Sequence, residues 1–154
     1  MPEKKLPPLR DRALGYLSRR EYSRNELARK LAPYVEDAQE IHSLLDDFTQ
    51  RGWLSEARFI DMVVQARQGK YGSRRIAHEL REKGVSEEDM AGALSEARTH
   101  DLANARAAWR KKFGTPPVNA GEKAKQMRFL ASRGFDLETL RQVVNGAWEE
   151  EMES

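Results

Sequence analysis

Apolar residues recur along this chain three and four positions apart, in short runs closed by glycine or proline. Ile41, Leu44, Leu45 and Phe48 follow the i, i+3, i+4, i+7 spacing of one helix face, and Gly52 ends that run. Before it, Ala13, Leu14 and Leu17 give one edge of a helix from Leu9 to Arg19. A second helix is expected from Ser23 to about Leu31, closed by Pro33. After Gly52 the pattern repeats. Phe59, Ile60, Val63 and Val64 mark one helix, Ile76 and Leu80 mark another from Ser73 to Lys83, and Met90, Ala93, Leu94 and Ala97 mark a third. From about Asp101, Leu102, Ala105, Trp109 and Phe113 lie in register until Thr115-Pro116-Pro117 interrupts them. Ala124, Met127 and Leu130, then Leu137, Leu140, Val144 and Trp148, complete the series. No stretch alternates apolar and polar residues long enough for a strand, so the pattern predicts an all-α fold of about nine helices.

The punctuation between helices is itself repeated. Leu80-Arg81-Glu82-Lys83-Gly84-Val85-Ser86 matches Leu130-Ala131-Ser132-Arg133-Gly134-Phe135-Asp136, 50 positions later (134 minus 84). Each copy ends a helix at glycine, then supplies a hydrophobe and a capping side chain for the next. Val85 is expected to pack on Met90, Phe135 on Leu140 and Leu54 on Phe59. Ser86 is expected to cap the amide of Asp89, with Asp89 reaching back. A weaker copy begins at Tyr22-Ser23-Arg24-Asn25-Glu26-Leu27, which reads as a full staple and capping box. A period near 50 predicts an elongated array of three tandem three-helix repeats, stabilised by stacking of neighbours. The expected divisions are a lead-in over 1–8, repeats over 9–54, 55–99 and 100–150, and an acidic tail over 151–154.

Composition narrows the chemistry. Of 154 residues 39% are hydrophobic and 34% charged, and there is no cysteine, which excludes disulfides and cysteine-zinc sites and fits a reducing cytoplasm. No apolar run is long enough to cross a membrane, and residues 1–8, with lysines but no apolar segment, are not expected to act as a signal peptide. His78-Glu79-Leu80-Arg81-Glu82 lacks the second histidine of a zinc helix and reads as a solvated face. Asp46 and Asp47 read as neighbours on an acidic helix. No phosphate-cradling glycine loop is present. The chain is expected to be neither an enzyme nor a cofactor carrier. Trp109, Met127, Phe129 and Trp148 fall at core spacing. Trp53 is expected to plug an inter-repeat joint, whereas Tyr71, in a basic glycine-rich loop, is a candidate for surface recognition.

The net charge is only +2, but the charges are grouped. Residues 67–83 hold six cations against Glu79 and Glu82, and residues 106–133 hold eight against Glu122 alone. Acidic groups gather at 36–47, 87–96 and in Glu149, Glu150, Glu151 and Glu153, so sign alternates along the array. The candidate partner-binding residues are therefore Arg67, Lys70, Tyr71, Arg74, Arg75 and Lys83 in the first group. Arg110, Lys111, Lys112, Lys123, Lys125 and Arg128 form the second. Lys70, Tyr71, Arg74 and Arg75 are expected to form one patch suited to an acidic protein surface or to phosphate.

The ordered set of motifs resembles the RecX family of regulators of the recombinase RecA. It is carried by Ser23-Arg24-Asn25-Glu26-Leu27 with Lys30-Leu31, and by Gly52-Trp53-Leu54-Ser55-Glu56-Ala57-Arg58-Phe59. Gly72, Arg75, Ile76, Glu79, Leu80, Lys83, Gly84 and Val85 follow, then Phe129, Leu130, Arg133, Gly134 and Phe135. The resemblance spans roughly Leu9 to Trp148. Ser55-Glu56 stands where the family often has two aspartates, and Gly114 to Gly121 is a long third-repeat loop. The resemblance implies a cytoplasmic, monomeric protein that binds RecA and its DNA filament. It would lie in the filament groove and suppress ATP hydrolysis, strand exchange and co-protease activity, with weak direct DNA contact. The residues alone leave a stand-alone helical DNA-binding module, or a scaffold for another acidic protein, as alternatives.

Overall fold

A helix is stable here only where its apolar stripe meets two others, and the chain satisfies this three times over. The computed structural model describes the backbone of residues 8–153 and side chains through residue 146. The lead-in before Pro8, Trp148 and the glutamates of the tail lie outside the described side chains. The helices are α1 (Leu9–Leu17), α2 (Arg24–Leu31), α3 (Ala38–Gln50), α4 (Glu56–Arg67), α5 (Ser73–Glu82), α6 (Glu87–Lys112), α7 (Ala120–Ser132) and α8 (Leu137–Glu153). A 3-10 turn, Ala32–Tyr34, follows α2 at Pro33. No strand occurs among the described residues.

Three apolar clusters result. Leu27, Leu31, Leu45 and Phe48 from α2 and α3 centre the first, where full burial is worth about 1.5–3 kcal/mol per side chain. Phe59, Ile76, Leu80 and Met90 centre the second, and Trp109, Leu130, Phe135 and Val144 the third. Val85 and Met90 share the second cluster, and Phe135 and Leu140 the third, as the staples predict. Leu54 differs: it packs in the first cluster, which holds Phe48, while Phe59 lies in the second. Leu137 also departs from its predicted stripe and is half exposed, while Val143 is buried in its place.

Among the described residues eight α-helices stand where about nine were expected. The third helix of the second repeat and the first of the third are one continuous α6 of 26 residues. Its middle, Ser95 to Leu102, has neither glycine nor proline, so nothing interrupts the amide ladder. Its ends match the helix dipole, with Glu87, Glu88 and Asp89 in the first turn and Arg110, Lys111 and Lys112 in the last.

Caps follow the sequence closely. Ser23, Ser86 and Asp136 accept from the amides of Glu26, Asp89 and Thr139 at 3.0, 3.1 and 2.8 Å. The return half of the box at Ser23 is replaced: the Glu26 carboxylate is held by Arg20 at 2.8 and 3.0 Å and by Lys83 at 3.2 Å.

Candidate partner-binding surface

The joints between repeats decide which cations are available. At the first joint the Ser23 hydroxyl donates to the Lys83 carbonyl at 2.6 Å, and the Arg24 amide donates to Glu56 at 2.5 Å. At the second joint the Gly72 amide donates to the Arg133 carbonyl at 2.7 Å and the Arg74 amide to the Gly134 carbonyl at 3.1 Å. Asp101 accepts from the Ser73 amide at 3.0 Å and from its hydroxyl at 2.5 Å. Each repeat thus caps the second helix of the one before it with a carboxylate, and receives polar hydrogens at the carbonyl end of its own second helix. These contacts satisfy helix-end groups that have no partner inside their own helix.

Glycine makes this approach possible. Gly84 and Gly134 adopt φ of +79° and +91°. A Cβ built on Gly84 would collide with the side chain of Asn25, and one on Gly134 with that of Arg75. Asn25 and Arg75 are 50 positions apart, as are the glycines, so the joint recurs residue for residue. Burial raises the carboxyl groups of both Glu56 and Asp101 above the usual range, against hydrogen bonds that pull them down. Burial also pushes Glu26 up, but the bonds from Arg20 and Lys83 outweigh it and hold that carboxyl below its ordinary value.

Several predicted site residues are committed to this framework. Arg67 is paired with both oxygens of Glu79 at 2.9 and 3.0 Å, which holds the Glu79 carboxyl low. Lys83 serves Glu26. Arg75 lies over the Tyr71 ring at 4.0 Å and donates to the Ser132 carbonyl at 3.2 Å. Arg133 approaches the same ring at 5.5 Å. Tyr71 is therefore half buried between two guanidinium groups at the second joint. Trp53 has the opposite fate. It is exposed, edge-on to Phe48 and flanked by Arg10 and Arg51, and it plugs no joint.

Lys70, Arg74 and Arg75, expected as one patch, line two clefts divided by the Tyr71 sandwich. One, about 290 Å³, is bounded by Lys70, Lys111, Lys112, Arg133 and the half-buried Phe129, with no carboxylate in its lining. The other, about 620 Å³, is bounded by Arg74, Arg75, His78, Phe135, Leu137 and Leu140. Arg110, Lys123, Lys125 and Arg128 line neither. Arg133, Phe129 and His78 line these clefts although charge grouping alone did not select them. Ser73, Asp101 and Gln126 were also missed. Gln126 is buried, accepts from the Trp109 indole at 2.8 Å and donates to the Thr115 carbonyl at 3.1 Å.

Comparison with known proteins places this architecture. Family models for the first, second and third three-helix domains of RecX match residues 10–47, 55–94 and 100–144, in that order. The chain belongs to the RecX family. A relative named Regulatory protein RecX from Leptothrix cholodnii is 51% identical over 88% of this chain and 87% of its own length. One of the same name from Chromobacterium violaceum is 46% identical over 90% of each. The crystal structure of RecX from Lactobacillus salivarius superposes with a TM-score of 0.76 over 90% of this chain and 94% of that one, at 15% identity. At that identity the likeness establishes the RecX fold, while the sequence relatives support a regulatory role. No described helix is long and apolar enough to cross a membrane.

Proposed function

We propose that the chain is a non-catalytic regulator of RecA that binds the RecA nucleoprotein filament and lowers its ATPase, strand-exchange and co-protease activities. The observation that carries this reading is the ordered match of all three RecX domains across residues 10–144. The two cation-lined clefts beside Tyr71 support it, since they offer charge and apolar surface to a partner. A bound regulator shifts a filament between active and inactive states only through its different affinity for them. Binding to the assembled filament is therefore the first requirement.

The test is co-sedimentation with RecA on single-stranded DNA, with and without nucleotide, beside a DNA-only control. The chain should pellet with the filament, and at near-physiological salt it should remain mostly in the supernatant with DNA alone. Equal, salt-sensitive pelleting with bare DNA would instead favour a stand-alone DNA-binding module.

A further inference from the structure

We propose that the larger cleft, between α5 and the start of α8, docks an acidic protein segment through one apolar side chain, and is separate from any contact with phosphate. The inference rests on the regulatory reading above and adds the surface and the chemistry of the partner segment.

Three observations carry it. First, the cleft has an apolar floor and cationic walls. Phe135 and Leu140 lie at its base, and Leu137 stands 51% exposed at its rim, turned outward where Leu140 and Val144 of the same predicted stripe are buried. Arg74, Arg75 and His78 form the wall supplied by α5. Second, the Arg74 side chain is exposed and makes no ion pair among the described residues. Its backbone is pinned to Gly134, so its position is set by the joint, and its guanidinium acts on the nearby Asp136 carboxyl without a direct ion pair. Third, the neighbouring cleft has a different chemistry. Four cations and no carboxylate surround it, which suits phosphate. The larger cleft instead sets Phe135, Leu137 and Leu140 beside its cations, apolar surface that a protein side chain can cover and a phosphate cannot use.

A protein segment resolves the combination. Its apolar side chain covers Leu137, and its carboxylate meets Arg74. Interfaces concentrate binding energy in such partly apolar centres with arginine around them. Because the cleft spans the second joint, its two walls come from different repeats, and the occupant would read their relative placement.

The experiment compares the wild-type chain with Leu137→Ser and Arg74→Glu, singly and together. Both positions are exposed, and circular dichroism melts check that each variant stays folded. Binding to preassembled RecA–DNA filaments and to bare single-stranded DNA is measured for each. The double variant should bind filaments at least about tenfold more weakly, with bare-DNA binding unchanged. Leu137→Ser alone should account for part of that loss, although it removes no charge. Filament binding equal to wild type would overturn the inference while leaving the regulatory reading intact. Parallel loss on bare DNA would overturn it by making the cleft a phosphate site. A wild-type chain that binds no filament would overturn the regulatory reading, and the inference with it.

Discussion

Gly84 and Gly134 carry two constraints at once, a left-handed backbone and contact with the preceding repeat. Gly52 provides the comparison, because its φ of +75° is similar but nothing lies within 4 Å of a Cβ built there. Gly52→Ala should cost about 1 kcal/mol, the backbone term alone. Gly84→Ala should cost about 2–4 kcal/mol, because the backbone term is joined by a forced shift of Asn25 at the joint. Urea unfolding of the two variants checks this, and equal losses would mean that the close approach at Gly84 carries no energy. The capping residues Ser23, Ser86 and Asp136 were legible in the sequence because a cap is a local pattern. Tyr71 was legible as unusual but not as half buried, since its partner Arg133 is 62 positions away (133 minus 71). Asp101 and Gln126 gave no local signal at all. Their hydrogen bonds reach across 28 and 17 positions, and each looks like an ordinary polar residue on an exposed helix face.

The long α6 ties the second repeat to the third. The first and second repeats are joined instead by the short segment Arg51–Ser55, with Gly52 at its bend. The sequence did contain this difference: glycine follows α3, whereas no breaker lies between Ser95 and Leu102. Reading a repeat boundary there from periodicity alone gave one helix too many, because a repeat in sequence need not restart its backbone. Thr99 is exposed near the middle of α6, so replacing it disturbs the ladder more than the core. Thr99→Pro should cost about 3 kcal/mol or more, through a lost amide hydrogen bond and a ring clash in the preceding turn. Thr99→Ala should be nearly neutral or slightly stabilising, since alanine is the better helix former. Thermal or urea melts distinguish them, and a Thr99→Pro chain as stable as Thr99→Ala would show that α6 need not be continuous.

Three separate apolar cores, linked by polar joints, make up the array. The period of 50 made the three-repeat order legible, and grouped charge made the basic character of the second and third repeats legible. What sequence did not reveal was which cations are already occupied. Lys83 is neutralised by Glu26, 57 positions away in the preceding repeat, and Arg67 by Glu79 twelve positions on. These pairings leave fewer of the expected cations unpaired, and two clefts beside Tyr71 are lined by Lys70, Arg74, Arg75, Lys111 and Lys112 among them. If these clefts serve a regulator of the RecA filament, the decisive quantity is the filament's own turnover. RecA is assembled on single-stranded DNA with ATP, and steady-state hydrolysis is followed as the chain is added. Hydrolysis should fall progressively, and excess bare DNA added with the chain should not restore it. An unchanged rate at concentrations where the chain co-sediments with the filament would contradict regulation, and full restoration by bare DNA would show that the chain acts on DNA rather than on RecA.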